Sequence, residues 1–213
     1  VVTDENTDID SYGYSFDKVV VNQSDTSNTK NKNIWINKGR YKVYDITPYD
    51  DTIVLDTDYL INSDTLLKTF EVGDDFCCHN RTSFLMNPNA GQELLSNLSV
   101  NTLWATVMRF KKSNRTKQLF ECMGMVQHNY SHYANFYHFL EGTYRNDYAL
   151  TVALRIVNGH TEDLRDYIPW NLVHVDVNTK VYKESNTEYT ILFDNWKNGK
   201  SRKEYITIKD SDF

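Results

Sequence analysis

Short apolar runs, many of them alternating with polar residues, follow one another along the chain from residue 34 onward. In residues 171–177, the side chains of Val173, Val175 and Val177 would share one face of an extended segment. A period of two is typical of strands that are buried on one face. The pattern therefore predicts strands at residues 34–36, 41–44, 52–55, 69–72, 83–86, 103–110, 118–126, 135–140, 148–157, 171–177, 188–193 and 204–208.

Turn signals separate these runs, and helical patterns are sparse. Asn158-Gly159 and Asn198-Gly199 are dipeptides typical of two-residue β-hairpin turns. Residues 89–98 and 161–165 are the two segments that predict short helices. Short strands with frequent turns are typical of sandwiches and jelly rolls. We therefore predict a mainly β fold, a single-domain antiparallel β-sandwich or jelly-roll-like domain over residues 34–213, with one or two short helices.

Residues 1–33 differ from the rest of the chain and are predicted to form a polar N-terminal arm. They are dense in Asp, Asn, Ser and Thr, and their main apolar patches are formed by Tyr12, Tyr14 and Phe16 and by the Val19–Val21 run. Such a segment has too little apolar surface to fold by itself. We expect the arm to be disordered or to become ordered by docking its aromatic and valine patches on a partner.

Length and charge exclude several classes of protein. The chain has 213 residues, a mass of 25.0 kDa and a mean hydropathy of -0.60, which suits one domain. A net charge of -6 and the lack of a basic stripe argue against nucleic-acid binding, since residues 109–117 are expected to be a solvated face. No apolar run approaches the 18 residues of a membrane span, so we expect no membrane association. Because the sequence starts at Val1 rather than at a methionine, we expect a processed or trimmed form.

Cysteines and histidines form one weak metal-like group. Paired zinc thiolates need a spacing that lets both sulfurs face the ion, and adjacent residues of a strand point to opposite sides. We therefore expect no metal and no cofactor. Three cysteines cannot all pair, so we expect no disulfide framework, although one disulfide to Cys122 stays open. The residues of this weak candidate group are Cys77, Cys78, His79 and Cys122.

Catalytic motifs are missing from the sequence. It has no G-x-S-x-G nucleophile turn, no framed catalytic cysteine and no Gly-rich phosphate loop. Acidic pairs such as Asp50-Asp51 and Asp74-Asp75 fall in predicted turns, where Asp is favoured for backbone reasons. We expect a protein that is not an enzyme. A glycosidase pair stays open as an alternative, because its two carboxylates are close in space rather than in sequence.

Aromatic residues are the most distinctive part of the composition. The chain holds fifteen tyrosines, whose phenols ionise near pH 10 and would then add negative charge to a chain already at -6. If tyrosines lie where copies of the chain touch, an assembly of such copies should come apart in alkali. Exposed tryptophans on a sandwich can instead stack sugar rings, and the candidates for such a carbohydrate site are Trp35, Trp104, Trp170 and Trp196.

Several segments resemble, in order, parts of the cypovirus polyhedrins of insect reoviruses. The resemblance covers about half of residues 34–160 and requires gaps. It is carried by Ile36–Lys38, Tyr41–Val43, Asn80–Thr82, Asn89-Ala90, Trp104–Lys112, Tyr130–Tyr133, His138–Glu141 and Tyr148–Leu154.

The resemblance implies a specific biology. Cypovirus polyhedrins are β-sandwich proteins with an N-terminal arm or helix, and they assemble as trimers that pack into crystals inside infected cells. These crystals embed virus particles and dissolve in the alkaline insect midgut. The resemblance therefore implies that the partners are further copies of the chain and virus particles, and that the protein lies in an occlusion body in the host cytoplasm. This chain lacks a clearly amphipathic N-terminal helix, which is a departure from the family.

Three functions are compatible with the sequence. We expect first a non-enzymatic, self-assembling structural protein of the occlusion-body type. The alternatives are a carbohydrate- or receptor-binding β-sandwich, secreted or on a virion surface with a glycan as its partner, and a β-sandwich hydrolase. For the first function, the residues assigned to assembly contacts are Tyr12, Tyr14, Phe16, Tyr130, Tyr133 and Tyr137.

Overall fold

A computed structural model gives the fold. It describes residues 1–3, 5–23, 25–30, 32–35, 37–84, 91, 93–139, 142–175, 179–197, 200–209 and 211–213, with the backbone alone at 12, 194–197 and 200–202. The structure is mixed rather than mainly β, with 29% of residues in helices and 27% in strands. None of the helices in these ranges is both long and apolar enough to cross a bilayer.

Twelve strands and four α-helices lie within the described ranges, together with short 3₁₀ segments. The strands are β1 (Val2–Thr3), β2 (Val20–Val21), β3 (Thr29–Lys30), β4 (Asn33–Ile34), β5 (Asp51–Leu55), β6 (Phe76–His79), β7 (Thr82–Phe84), β8 (Trp104–Lys111), β9 (Leu172–His174), β10 (Lys180–Lys183), β11 (Glu188–Lys197) and β12 (Lys200–Lys209). The helices are α1 (Val43–Ile46), α2 (Asn114–His128), α3 (Tyr130–Phe136) and α4 (Asn146–Val157), and the 3₁₀ segments are Ile9–Tyr12, Arg40–Lys42, Thr65–Glu71 and Leu164–Asp166.

A three-stranded antiparallel sheet in the order β5-β8-β6 forms the centre of the molecule. Its two faces carry different apolar clusters, because neighbouring residues of a strand point to opposite sides. Cys78, Met108 and Phe110 pack on the face that α2 and α4 cover, whereas Cys77 and Val107 pack on the other face. The sheet is therefore buried on both faces. This explains why β8 is almost continuously apolar.

Helices α2 and α4 replace two of the predicted strands, at residues 118–126 and 148–157. In α2, Leu119, Phe120 and Met123 are buried at helical spacing, and the side chain of Ser113 accepts a hydrogen bond from the Thr116 N–H in a capping box. Helix α4 is buried from Tyr148 to Leu154, a stretch that is apolar except for Thr151, and such a pattern does not distinguish a strand from a buried helix. The strand prediction is wrong for both segments, and packing against the sheet decides the helical conformation.

Other local predictions fail in similar ways. The predicted strand at 41–44 is helical instead, in the 3₁₀ segment Arg40–Lys42 and in α1. In the predicted strands at 69–72 and 135–140, residues 69–71 belong to a 3₁₀ segment and residues 135–136 to α3, and the described residues that follow them are bend, turn or coil. Asn158 ends α4, and Gly159 follows with a φ of 64°, so this dipeptide terminates a helix instead of forming a hairpin. The helix predicted at 161–165 is a 3₁₀ turn at Leu164–Asp166.

Part of the helix predicted at 89–98 lies outside the described residues. Within the described part, Leu94 and Asn101 form an isolated bridge, so residues 93–98 are not helical. Predicted strand residues 36, 85, 86, 176 and 177 also lie outside the described residues. The neighbouring described residues form β4, β7 and β9 as expected.

A second antiparallel sheet, in the order β10-β11-β12, forms the C-terminal part of the fold. Lys197 pairs with Lys200, so two residues connect β11 and β12, as the Asn198-Gly199 dipeptide predicts. Two smaller pairs, β1 with β2 and β7 with β9, are parallel, so the sheets are not antiparallel throughout. A single sandwich is not established by these sheets.

The arm is attached to the rest of the molecule at its C-terminal end. Strand β3 of the arm pairs with β4, and Asn28 just before β3 is buried. Nearer the N-terminus, β1 and β2 form a two-stranded parallel sheet with no third strand among the described residues, and several of their neighbours are exposed. The arm is therefore anchored near residue 28 and exposes apolar side chains before that point.

Candidate functional site

Five tyrosines gather in one place, at the junction of α2, α3 and α4. We call Tyr130, Tyr133, Tyr137, Tyr144 and Tyr148 the tyrosine cluster. They pack with buried apolar side chains from these helices and from the 95–100 loop. Tyr144 and Tyr148 are buried, and the other three are half-buried. The cluster is therefore part of the hydrophobic core.

Helix α3 brings three of these tyrosines onto one side. Positions i, i+3 and i+7 of a helix share a face, and these are the positions of Tyr130, Tyr133 and Tyr137 at α3 and its C-cap. Tyr130 meets Tyr144 edge-on at 5.2 Å, and Phe139 lies 5.3 Å from Tyr130. The sequence prediction of a strand here concealed this grouping, although the spacing of the tyrosines was a signal for it.

Hydrogen bonds and burial keep the central phenols neutral. The Tyr130 hydroxyl donates to the Thr143 carbonyl at 2.9 Å, and the Tyr144 hydroxyl donates to Asn146 Oδ1 at 3.1 Å. Burial raises the pKa of Tyr130, of Tyr137 and of Tyr144 above the usual value for a phenol, because a phenolate loses its hydration there. These groups therefore resist ionisation until the solution is more alkaline than an exposed tyrosine requires.

The tyrosine cluster also holds the anchor of the arm. Asn28 donates from Nδ2 to the Tyr144 carbonyl at 3.1 Å and to Asn37 Oδ1 at 2.7 Å. Asn37 donates to the same Tyr144 carbonyl at 3.2 Å, and the Thr143 hydroxyl donates to the carbonyl of Thr29 at 3.2 Å. The backbone at residues 143–144 thus connects the arm to the phenols.

The aromatic residues of the arm lie apart from the cluster and face solvent. Tyr14 is 74% exposed and Phe16 is 42% exposed, and the nearby Val19 and Val21 are also exposed. The side chain of Tyr12 lies outside the described part of the structure. Five of the six residues assigned to assembly therefore fall in two groups: Tyr130, Tyr133 and Tyr137 pack within one chain, whereas Tyr14 and Phe16 are accessible to another molecule.

The three tryptophans whose side chains the structure describes do not form a common exposed face. Trp104 is only 8% exposed and packs in the same cluster as the half-buried Trp170, behind the central sheet. Trp35 lies next to β4, with the Lys30 ammonium 4.8 Å from its ring centroid. The side chain of Trp196 is outside the described residues. Trp104 therefore packs as a core residue and does not present a surface for stacking a sugar.

Two polar atoms beside Trp104 lack partners. The Trp104 and His174 rings are 4.6 Å apart. Neither Trp104 Nε1 nor His174 Nε2 has a hydrogen-bond partner among the described residues, although both atoms are buried. Burial lowers the pKa of His174, so this ring is neutral in neutral solution. A polar group that pairs with these two atoms would remove a desolvation cost, which makes this place a weaker candidate site.

Cysteine and histidine side chains of the metal-like group are separated by the fold. Cys77 and Cys78 point to opposite faces of the central sheet, and Cys122 lies half-buried on α2, all three as free thiols. His79 is buried with Nδ1 3.0 Å from the Trp170 carbonyl, and burial lowers its pKa to about 4. Within the described ranges, no group of three or more His, Cys, Asp or Glu side chains is arranged to hold a metal ion.

Carboxylates of the core are paired with arginines. Arg109 binds Asp51 through two nitrogens, at 2.7 and 2.5 Å. Arg115 binds Asp75 at 2.7 Å and Asp166 at 2.6 Å. Two further pairs, Arg40–Asp56 and Arg145–Asp147, flank the start of β8. These carboxylates neutralise the buried guanidinium of Arg109 and the partly exposed ones of the other three arginines, an arrangement different from the opposed pair of a glycosidase.

Comparison of the chain with protein-family models, with curated proteins and with solved structures gives no match. The function is therefore inferred below from the contacts, burial and charges of the chain itself.

Proposed function

We propose that the protein is a non-enzymatic structural protein that assembles with copies of itself, as occlusion-body proteins do, and that its assemblies dissolve in alkali. The observation that carries this proposal is the tyrosine cluster beneath the anchor of the arm. Tyr144 belongs to the cluster, and its carbonyl accepts the hydrogen bonds of Asn28 and Asn37 that hold the arm. Ionisation of the cluster would therefore loosen the segment that connects the copies.

The arm is the segment that we assign to contacts between copies. Tyr14, Phe16, Val19 and Val21 are exposed within about ten residues, and their burial against another molecule would be favourable. The arm is also held at its end by Asn28, so its first residues can reach a neighbour without detaching from their own chain. This supports a lattice of linked copies, with virus particles as further partners.

We also propose that the two three-stranded sheets stack as a sandwich. Strand β9 contributes Leu172 to the cluster behind the central sheet and Val173 to the cluster on the β10-β11-β12 sheet. The C-terminal residue Phe213 packs in that second cluster and exchanges two backbone hydrogen bonds with Leu60. These contacts support a stack of the two three-stranded sheets with β9 between them.

Static light scattering during a titration from pH 7 to pH 11 tests the alkaline step. We expect large particles at neutral pH and their loss above about pH 10. Exposed phenols ionise at that pH, and the fold begins to lose stability because its buried phenols would ionise if the chain opened. A double variant, Tyr130→Phe with Tyr144→Phe, should shift this loss to higher pH. The control is Tyr49→Phe, which changes an exposed tyrosine. Equal dissolution of the double variant and the control would refute a role for the cluster.

Deletion of residues 1–25 tests the role of the arm. The deletion removes Tyr14 and Phe16 but keeps Asn28 and β3, so the anchor at Tyr144 is preserved. We expect a folded monomer that no longer forms large particles, as measured by circular dichroism and light scattering. Normal assembly of the shortened chain would show that other surfaces connect the copies.

Binding of a polar ligand such as a glycan is the second candidate. It is favoured by Trp104 Nε1 and His174 Nε2, two buried polar atoms without a partner among the described residues, which a sugar hydroxyl would satisfy once the contact between these two rings opens to admit it. A glycan array with the monodisperse protein tests this function. A hit that is lost in His174→Phe would support it, and no hit on the array would oppose it.

A further inference from the structure

A surface cavity of about 270 Å³ lies between α2 and the segment that contains Arg40–Lys42 and α1. The residues that line it include Tyr41, Tyr44, Phe120, Asp45, Glu121 and Lys117. Pockets for drug-sized ligands usually have about 300 to 1,000 Å³, so this cavity suits a smaller molecule. It is distinct from the tyrosine cluster and from the Trp104–His174 pair.

Aromatic rings form the walls of the cavity. The Tyr44 and Phe120 rings are 6.0 Å apart, with an angle of 37° between their planes. Tyr41 packs directly over Gly124, where an added Cβ would lie 2.9 Å from Tyr41 Cδ2. The missing side chain at Gly124 therefore lets the Tyr41 ring lie close against α2. The π faces of a tyrosine pair attract cations, since the electron density of a ring concentrates on its faces.

Charged groups at the rim favour a cation. Asp45 and Glu121 supply two carboxylates, and the only ammonium in the lining belongs to Lys117, which lies 3.9 Å from Glu121. Lys117 and Glu121 are both mostly exposed, so their pairing is weak and leaves the site open to another cation. A cation of the protein itself already uses one of these rings, because Lys112 Nζ lies 5.9 Å from the Tyr44 centroid.

We propose that this cavity binds a small alkylated ammonium ion of the choline type. Methyl groups on nitrogen spread the positive charge over an apolar surface, which suits aromatic walls better than a strongly hydrated primary ammonium does. The carboxylates of Asp45 and Glu121 balance the charge from the rim. Choline binding would be a property separate from the proposed assembly, which needs no small-molecule ligand.

Titration of the full-length protein with choline, followed by amide chemical shifts, tests the proposal. We expect saturable shifts at Gly124 and its neighbours on α2. The matched probe is 3,3-dimethylbutan-1-ol, which has the same shape as choline without the charge, and we expect it to bind about tenfold more weakly. No saturable shift with choline, or equal affinity for the two probes, would overturn the proposal.

Two variants and a control assign the binding to this cavity. Tyr41→Leu removes one aromatic wall, and Glu121→Gln removes one carboxylate from an exposed position where the fold is not affected. Each should weaken choline binding about threefold to tenfold. Tyr205→Leu, at an exposed tyrosine of β12, should leave it unchanged. Unchanged affinity in Glu121→Gln together with unchanged affinity in a folded Tyr41→Leu would contradict the site.

Discussion

Arg109 shows how single residues stabilise this fold. Its side chain is 5% exposed and its guanidinium binds the Asp51 carboxylate through two nitrogens across the β5–β8 pair. Asp51→Ala should leave this charge buried without its partner and reduce the free energy of unfolding by about 3 kcal/mol. Urea denaturation measures the loss. In the exposed Lys68–Asp64 pair, Asp64→Ala is the control and should cost less than about 1 kcal/mol. Equal losses would show that burial of Arg109 is unimportant.

Two glycines with the same backbone conformation differ in their surroundings. Gly73 and Gly159 have φ values of 71° and 64°, which side chains rarely adopt. An added Cβ at Gly73 would lie 2.6 Å from the Phe76 carbonyl oxygen, whereas at Gly159 nothing lies within 4 Å. Gly159→Ala should cost about 1 to 2 kcal/mol of strain, and Gly73→Ala roughly 3 kcal/mol because overpacking is added. Thermal unfolding of both variants compares them, and equal shifts in Tm would contradict the contact at Gly73.

Helix α2 depends on its first turn. Ser113 accepts a hydrogen bond from the Thr116 N–H at 3.1 Å, and the Thr116 hydroxyl accepts one from the Ser113 N–H at 3.0 Å. Ser113→Ala should therefore reduce the free energy of unfolding by about 1 kcal/mol, and somewhat more because Ser113 also donates to Asp75. Ser131→Ala, at an exposed serine inside α3, is the control and should change stability by less than about 0.5 kcal/mol. A Ser113→Ala protein as stable as this control would show that the cap is dispensable.

Whether the sequence pattern predicts a helix or strand correctly depends on how that element is buried. Strands β5, β8, β11 and β12 were predicted because they alternate or carry β-branched residues between turn signals. Helix α4 was missed, since residues 148–157 are apolar except for Thr151 and Arg155, and such a run suits a buried strand equally well. Helix α2 was missed because the apolar residues of 118–126 were interpreted as a strand, although Leu119, Phe120 and Met123 are buried at helical spacing. The missed elements are those whose conformation is decided by packing on the central sheet.

The candidate site was predicted in composition but not in geometry. The abundance of tyrosines indicated a response to alkali, and Tyr130, Tyr133 and Tyr137 were selected from the sequence. Their grouping required α3, for which the sequence pattern predicted no helix: residues 130–134 were assigned no element, and residues 135–140 were predicted as a strand. The link from Tyr144 to Asn28 joins residues 116 positions apart, and no local pattern in a single sequence indicates such a pairing. Long-range contacts of this kind are therefore the part that only the structure supplies.

At the scale of the whole molecule, tyrosines in separate regions share one property. Burial raises the pKa of Tyr167 to about 12 beside the central sheet, and it also raises the pKa of Tyr59, Tyr130 and Tyr144. These residues belong to three different apolar clusters: Tyr167 to the one beneath α2 and α4, Tyr59 to the one on the other face of the central sheet, and the other two to the tyrosine cluster. Alkali therefore acts on several parts of the core at once, and the molecule should lose its structure cooperatively.

The pH dependence of stability follows from these shifts. A phenol whose pKa is higher in the folded chain than the unfolded value of about 10 gives its full stabilisation below pH 10. That contribution is lost as the pH rises from 10 toward the folded value, because the unfolded chain then releases its protons more readily. One group can change the free energy of unfolding by at most about 1.4 kcal/mol per pH unit. Since several phenols and the buried Cys77 thiol, with its pKa raised to about 11, titrate together, we expect a steeper fall.

Urea denaturation of the monomeric, arm-deleted protein at intervals from pH 8 to pH 11.5 measures this slope apart from assembly. Tyr144→Phe should reduce the slope, because one of the shifted phenols is removed while its ring packing is kept. Tyr205→Phe, at an exposed tyrosine, should leave the slope as it is. If the free energy of unfolding falls above pH 10 with a slope that corresponds to one proton or less, the buried phenols do not act together. In that case alkali would have to release the assemblies through surface charge alone.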